Sequence, residues 1–337
     1  MFGKIFESLY LKVFVNIIVS NTKTTVYIEN ISNNKHVNKV ENVFETTALT
    51  TELEHFILKY IDESPYFYIS ILNSSHHQGA IPTCLKSKYF YYEDVSESKI
   101  VCIDKKWSTY TPKKELSSLE IKYKKIGLDF IFSPFTILSS FFKKEILKDV
   151  ALYILLEEQN ISLSIFQNGE LLYSQYLNVE DRVEDDANLL TYDVDLDDGV
   201  DLEDVDALEH IDMFDDFADI EDLDDIDDID EFSDAKDIDD DFSSFEAEET
   251  ISSDGVGDDT FSVDYQRFSL IQNSVNSFYS DEKYESVFLE NIYIADSTGV
   301  GAGLSQYLEE EMFLTVHFRV INLGSALMQS AQEELKL

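Results

Sequence analysis

Acidic charge is concentrated in one segment of the chain, and this segregation limits which parts can build a folded core. Residues Glu180 to Ser262 contain 37 of the 68 Asp and Glu residues but only two of the 25 Lys and Arg residues, Arg182 and Lys236. The segment therefore carries −35 of the formal net charge of −43. Carboxylates at this density repel one another and oppose a compact state. The core must come from the rest of the 337-residue chain, which is only mildly acidic.

Apolar residues recur at every third position within this acidic segment, from Leu208 to Phe232. A period of three fits neither the 3.6-residue turn of a helix nor the two-residue repeat of a strand, so we predict a largely disordered insertion. The alternative is a docking segment whose apolar side chains enter a partner's groove while its carboxylates meet basic groups. Its candidate partner-binding residues are Phe214, Phe217, Ile220, Leu223 and Phe232.

Composition excludes several classes of protein. The chain contains no run of about 18 to 20 uncharged apolar residues and no evident signal peptide. Its negative field would repel a phosphate backbone, so we expect no nucleic-acid partner. Two cysteines, Cys84 and Cys102, do not make a disulfide framework and fit a reduced compartment. We therefore expect a cytoplasmic protein.

Outside the acidic segment, strand and helix patterns are interleaved, which indicates an α/β fold. The hairpin signal Asn168-Gly169 favours a type I′ turn between two strands. The predicted strands are Val13–Val19, Thr24–Asn30, Tyr66–Leu72, Lys99–Ile103, Phe130–Ile131, Ala151–Leu156, Ser162–Phe166, Leu171–Tyr176, Asn291–Ala295 and Val316–Val320. The predicted helices are Thr50–Ile61, Leu116–Ile126, Phe135–Leu147, Tyr265–Phe278, Leu304–Met312 and Ser325–Leu335.

The order of these elements resembles that of PilM-type proteins of type IV pilus assembly, which are related to the cytoplasmic part of the GspL secretion proteins. The resemblance rests on Asp149–Tyr176 (DVALYILLEEQNISLSIFQNGELLYSQY), Ile126–Phe142 (IGLDFIFSPFTILSSFF), Asn291–Phe318 (NIYIADSTGVGAGLSQYLEEEMFLTVHF) and the opening MFGKIF with the hairpin VNIIVSNTKTTVYIE. It implies an actin-like, ribonuclease H-like architecture of two halves. We place the first half at residues 1–142, the start of the second at 143–179, the acidic insertion at 180–262 and the remainder at 263–337.

Actin-fold ATPases hold nucleotide with two glycine-bearing phosphate loops, an acidic residue for the metal and an adenosine loop. In this sequence the first Asp-x-Gly position falls on Val19 and Asn21, and the second falls on Leu155 and Glu157. Aliphatic side chains replace both metal-facing carboxylates, and Glu157 and Glu158 are expected to repel phosphate. The third loop, at Asp296, Ser297 and Gly299, is interpreted as a tight turn from strand to helix. We therefore expect no cofactor and no hydrolysis, as in the GspL-type relatives.

Other catalytic or metal-binding patterns are weak. The adjacent His76 and His77 lie in a polar segment without a Cys or acidic partner at ligand spacing, which favours a solvated loop. Asp193, Asp195 and Asp197 resemble the start of a calcium loop, but the glycine comes one position late. We expect no metal site.

Taken with the resemblance, these features suggest a non-enzymatic scaffold on the cytoplasmic face of an inner membrane, in pilus assembly, type II secretion or DNA uptake. The resemblance implies that it binds the tail of a PilN-like single-span membrane protein in a groove of the first half, to which Tyr66–Leu72 and Met1–Leu11 are candidate contributors. A motor ATPase is a second candidate partner, through the acidic segment. Two alternatives stay open: a divergent actin-like ATPase and an acidic regulator of a basic partner.

Overall fold

The computed structural model of the chain describes residues 10–33, 35–148, 150–179, 257–299 and 302–335. The first sheet contains β1 (Lys12–Val19), β2 (Thr24–Ser32), β3 (Lys35–Phe44), β4 (Tyr66–Leu72) and β8 (Phe130–Phe132). The small sheet contains β5 (Gly79–Ile81), β6 (Ser98–Ile103) and β7 (Trp107–Pro112). The second large sheet contains β9 (Ala151–Leu156), β10 (Asn160–Gln167), β11 (Glu170–Asn178), β12 (Asn291–Asp296) and β13 (Thr315–Val320).

Helices cover these sheets. They are α1 (Thr51–Ile61), α2 (Tyr89–Tyr92, after a 3-10 turn at Lys86–Lys88), α3 (Lys113–Lys122), α4 (Pro134–Phe141), α5 (Lys143–Ile146), α6 (Gly257–Ser280), α7 (Ala302–Met312) and α8 (Leu323–Leu335). Within the part of the chain that the structure describes, none of them has the length and apolarity needed to cross a membrane.

The two large sheets repeat one topology. The strand orders are β3-β2-β1-β4-β8 and β11-β10-β9-β12-β13. In each sheet the first three strands in sequence form antiparallel hairpins, and the last two add in parallel. This duplicated order is the actin-like architecture, so the predicted fold class is confirmed.

Local sequence explains several element boundaries. Thr50 precedes α1 and is its N-cap, because its Oγ1 accepts a hydrogen bond from the Leu53 N–H at 3.3 Å. Asn168 and Gly169 both have positive φ angles, of 50° and 82°, as a type I′ hairpin turn requires. The central strand β9 reads ALYILL and is buried on both faces, because helices cover both sides of its sheet.

Two helices exchange places between the halves. Helix α4 follows the first sheet in sequence but packs on β9 and β10 of the second, while α8 follows the second sheet but packs on β1 and β4 of the first. The two helices also contact each other. One shared core cluster therefore contains side chains of both halves, including Leu72, Phe142, Tyr153 and Leu327.

In the small sheet, which is inserted between β4 and β8, the state of the two cysteines differs from the one that the sequence predicted. Cys84 and Cys102 form a disulfide bond, with their Cα atoms 5.4 Å apart. The predicted reduced pair is wrong in this structure because the fold brings the loop after β5 beside the β6–β7 hairpin. The spacing of 18 residues gave no sign of this contact.

Some predicted boundaries differ from the structure. The predicted helix Phe135–Leu147 is two helices that break at Phe142, whose φ and ψ of −101° and 23° are not helical. Helix α3 begins and ends earlier than the predicted Leu116–Ile126. Helix α6 begins at Gly257, inside the window assigned to the acidic insertion; residues 180–256 of that window lie outside the described residues.

Candidate functional site

The first candidate site is a cleft of about 760 Å³ between the two halves, which we call the central cleft. The turn between β1 and β2, the turn between β9 and β10 and the loop after β12 meet there. Its lining includes Val19, Ser20, Lys23, Glu41, Glu45, Glu157, Glu158, Gln159, Asp264, Arg267, Ser297, Thr298 and Gly324. This is the place where the two predicted phosphate loops and the adenosine loop come together.

The two hairpin turns are bonded to each other across the cleft. The backbone N–H of Asn21 donates to Gln159 Oε1 at 3.1 Å, and Lys23 Nζ lies 3.0 Å from the Glu158 carboxylate. Both ion-pair side chains are partly exposed, so the pair adds little stability. These contacts matter because of the groups that they occupy. The Asn21 N–H, which would have to donate to a bound phosphate, already donates to Gln159.

The predicted loop positions are only partly brought together. Val19, Glu157 and Ser297 line the central cleft, and Asn21 lies at its edge. Leu155 lies in the shared core, because it belongs to a strand that is buried on both faces. An aliphatic residue at this position serves packing and leaves no carboxylate for a metal.

Glu157 is a buried carboxyl at the second turn. Its side chain is 8% exposed, and its Oε1 has no hydrogen-bond partner among the described residues. Burial raises the pKa of Glu157 to about 8, because the charged form loses its hydration. This shift lowers the negative charge that Glu157 brings to the cleft at neutral pH, and so it weakens the repulsion of phosphate expected from this residue.

The loop after β12 is folded by its own hydrogen bonds. Asp296 Oδ1 accepts from both the N–H and the Oγ1 of Thr298 at 2.7 Å, which is the geometry of an Asx turn. Ser297 donates through its N–H and its Oγ to the Leu156 carbonyl. Gly299 has a φ of 75° and turns the chain toward α7. The polar groups of this loop thus serve the turn from strand to helix.

Sequence reasoning missed a buried ion pair beside the cleft. Arg267 and Asp264 of α6 are both nearly inaccessible, and Arg267 Nη1 lies 3.4 Å from Asp264 Oδ1. Arg267 Nη2 also donates to the Glu158 carbonyl at 3.1 Å. The only available signal was an arginine within an apolar helical stripe. Both cations among the described cleft residues, Arg267 and Lys23, are thus already paired with carboxylates.

The second candidate site is a groove of about 600 Å³, which we call the side groove; residues of the first half form most of its lining. One wall is β8 with the residues around it, and the opposite wall is the small sheet with α3. Its lining includes Lys99, Val101, Ile103, Trp107, Leu116, Glu120, Ser139, Lys143, Ser330 and every residue from Leu128 to Ser133. Because strand side chains alternate between two faces, an uninterrupted lining along β8 means that the groove follows the edge of this strand.

One open sheet edge, that of β8, therefore borders the side groove, and the small sheet meets the groove with one face, since its lining residues Lys99, Val101 and Ile103 alternate along β6. Among the described residues β8 pairs only with β4, and β6 pairs only with β7. An open edge offers unpaired backbone N–H and C=O groups to an added strand. The groove thus combines the hydrogen-bonding edge of β8 with apolar side chains such as Val101 and Phe130.

Other predicted site residues lie elsewhere. Tyr66–Leu72 is β4, an interior strand that pairs with β1 on one side and, from Ser70 to Leu72, with β8 on the other, so the backbone of this last part is not available to a partner. His77 Nδ1 lies 2.9 Å from the Glu115 carboxylate, and His76 Nδ1 lies 3.5 Å from Asn178 Nδ2. In the described ranges no group of three or more His, Cys, Asp or Glu residues could hold a metal ion.

The proposed docking positions fall outside the described residues. They are Phe214, Phe217, Ile220, Leu223 and Phe232 of the acidic segment. Residues 1–9 of the predicted Met1–Leu11 contribution also lie outside them.

Solved structures share this fold at low sequence identity. The PilM-PilN type IV pilus biogenesis complex matches with a TM-score of 0.50 and 11% identity, over 93% of this chain and 89% of that chain. A Bacteroides thetaiotaomicron VPI-5482 protein with an actin-like ATPase fold and unknown function gives a TM-score of 0.47 and 11% identity, over 96% and 97% of the two chains. The similarity to the first of these shows a common actin-like fold.

Comparison with curated proteins gave no significant match. Residues 10–139 match the family model of a domain of unknown function, DUF8569. Residues 152–336, more than half of the chain, match the model of a second domain of unknown function, DUF8341. The chain therefore belongs to the DUF8341 family.

Proposed function

We propose that this protein is a non-enzymatic scaffold with an actin-like fold, which holds an extended tail of a partner protein in the side groove. The observation that carries the proposal is the open edge of β8 along one groove, whose opposite wall is a face of the small sheet. A peptide that enters as an additional strand gains main-chain hydrogen bonds from an edge and side-chain contacts from alternating pockets.

The side groove suits a short tail of mixed character. Val101, Ile103 and Phe130 offer apolar contacts, while hydroxyl groups such as that of Ser139 offer hydrogen bonds.

The central cleft supports a non-enzymatic role. Its two hairpin turns are bonded to each other, and its cations Lys23 and Arg267 are paired with carboxylates. A nucleotide triphosphate would have to break these pairs and would bring its own negative charge close to Glu41 and Glu45.

The partner that we propose is a PilN-like single-span membrane protein, and the place of action is the cytoplasmic face of an inner membrane. This part of the proposal draws on the resemblance to PilM-type proteins. A reducing cytoplasm would open the Cys84–Cys102 bond to two thiols. Neither cysteine lines the side groove, so the groove does not depend directly on the bond.

A photoreactive phenylalanine analogue at Val101 is expected to cross-link the full-length protein in its own cells to a single-span membrane protein. Val101 lies in the groove wall on the edge strand β6 and is 48% exposed. The adducts would be identified by mass spectrometry of the cross-linked band. The matched control carries the same analogue at Val320, a 75% exposed valine on the edge strand β13, outside both candidate sites.

The Val320 control is expected to give no membrane-protein adduct. If both positions give the same adducts, or if Val101 gives none or only soluble proteins, the side groove does not hold a membrane-protein tail. The comparison of two exposed valines on edge strands separates a specific groove contact from general strand stickiness.

Millimolar Mg-ATP is expected to leave the melting temperature of the protein unchanged. A nucleotide with a Kd one hundredth of its concentration would stabilise the folded state by about 2.7 kcal/mol, which a thermal scan detects easily. A clear rise with Mg-ATP, absent with Mg²⁺ alone, would instead favour the divergent ATPase, with Ser297 and Gly299 near the nucleotide. That result would not decide whether the side groove binds a tail, which the cross-linking experiment tests separately.

A further inference from the structure

Strand β3 is an exposed edge of the first sheet. It pairs with β2 on one side and with no strand among the described residues on the other. Nearly all of its side chains are exposed or half-exposed, and Val37 and Val43 are 61% and 47% exposed. Long uncovered sheet edges are uncommon in native proteins because their unpaired backbone N–H and C=O groups can bind strands of other molecules.

The sequence of this edge is complementary to itself. Residues 37–43 read VNKVENV, which is the same in both directions except that Lys39 and Glu41 exchange. If two copies pair in antiparallel fashion with a two-fold axis at Val40, valines meet valines and asparagines meet asparagines. Each Lys39 then lies opposite Glu41 of the second copy.

The charges also select this register over its neighbours. With the axis moved to residue 39, Lys39 would lie opposite Lys39 of the other copy. With the axis at residue 41, Glu41 would lie opposite Glu41. Like charges that are directly opposite across a strand pair are destabilising, whereas opposite charges stabilise it. Only the axis at Val40 forms two cross-strand ion pairs at these positions.

The backbone of β3 is regular where the pairs form. The ladder between β2 and β3 shifts register between Asn30 and Ile31, which leaves Val37 as a bulged residue. From Asn38 to Phe44 the ladder is continuous. The Lys39 ammonium lies over the Tyr27 ring at 4.7 Å, which orders this side chain on the exposed edge.

We propose that β3 joins two copies of this chain in an isologous antiparallel pair centred on Val40. The first sheets of the two copies then form one continuous sheet. The inference rests on the edge and its charge pattern, and it is independent of the proposed partner tail, because β3 and β8 are opposite edges of the sheet.

Val40→Cys tests the position of the axis. Directly opposite residues of an antiparallel pair have Cα atoms about 4.5 to 5.5 Å apart, which is within the range of a disulfide bond. Mild oxidation of the full-length variant is expected to give a covalent dimer on a non-reducing gel, above the wild-type background from the native cysteines. The control Val43→Cys lies about 20 Å from its own counterpart in this register and is expected to stay monomeric.

A mixture of Asn42→Cys with Asn38→Cys should form the mixed dimer, since these positions are opposite each other within the regular part of the strand. The proposed register is wrong if Val40→Cys does not cross-link, or if Val43→Cys alone cross-links equally well. Cross-linking of Val40→Cys to a different protein would show that another chain occupies the edge, and it would also overturn the proposal.

Charge exchange provides a test without cysteines. By symmetry Glu41→Lys converts two ion pairs into two like-charge contacts, and it is expected to weaken the dimer about tenfold in sedimentation equilibrium. Lys39→Glu combined with Glu41→Lys restores both pairs and should return the affinity to the wild-type level. A protein that is monomeric at all concentrations, or a dimer that neither change affects, would overturn the proposal.

Discussion

Glu157→Gln is expected to raise the free energy of unfolding by on the order of 3 kcal/mol at pH 7. Burial raises the pKa of Glu157 to about 8 from its ordinary value of 4.5. The folded protein then keeps a proton that the unfolded chain releases, and each pH unit between these values lowers stability by about 1.4 kcal/mol. Glutamine has nearly the same shape and carries no ionisable group, so it removes this loss.

The sign of the pH dependence follows from the direction of the shift. The wild-type stability contributed by Glu157 is complete below about pH 4.5 and is lost progressively as the pH rises toward 8. The gain from Glu157→Gln should accordingly vanish near the lower value and reach its maximum near the upper one. Urea unfolding at several pH values across this range measures it.

Glu158→Gln is the matched control. Glu158 is the next residue, but its side chain is half exposed and is paired with Lys23. Its loss should change stability by less than about 1 kcal/mol. If Glu157→Gln and wild type lose stability with the same slope between about pH 5 and 8, Glu157 is ionised in the folded protein and the central cleft is more polar than its geometry indicates.

Phe142→Ala is expected to lower the free energy of unfolding by about 3 to 5 kcal/mol. Phe142 is fully buried at the break between α4 and α5, and its ring contacts those of Tyr153 and Tyr293. The Arg319 guanidinium also lies over the ring at 5.4 Å. Truncation leaves a cavity in the core cluster that joins the two halves, and chemical denaturation measures the loss.

Phe141→Ala is the comparison for this variant. Phe141 is the same residue type one position earlier, but it is only partly buried at the margin of the cluster. It should therefore cost clearly less than Phe142→Ala. Equal losses from the two variants would contradict the assignment of Phe142 to the centre of the shared core.

The parts of the fold that follow from the sequence are those in which local pattern and tertiary packing agree. Apolar runs predicted strands such as β1, β4 and β9, which are buried because helices cover their sheets. Strand β3 was not predicted, because its Lys, Asn and Glu residues have weak strand propensity and backbone pairing with β2 decides its conformation. Strand β7 was missed although its Trp, Thr and Tyr residues favour strands. The Cys84–Cys102 bond was missed because it depends on how two distant segments fold together.

The candidate sites can also be divided into parts that local sequence patterns predict and parts that depend on tertiary contacts. The turns of the central cleft follow short-range hairpin signals, so several positions there, including Val19, Glu157 and Ser297, were identified from the sequence. The side groove is assembled from residues far apart in the chain, such as Val101, Phe130 and Ser330. Periodicity within one element contains no information about such a surface. The buried ion pair of Arg267 also depends on tertiary contacts that no local pattern predicts.

The exchange of α4 and α8 between the sheets has a consequence for biosynthesis. The apolar surface of β1 and β4 that α8 covers stays bare while the ribosome is still translating the second half, because α8 is encoded after it. An uncovered sheet face of this kind favours aggregation or chaperone binding. More than 150 further residues, including the acidic segment, therefore have to be synthesised before α8 can cover this surface of the first half. The dense negative charge of that segment would help to keep the waiting polypeptide in solution.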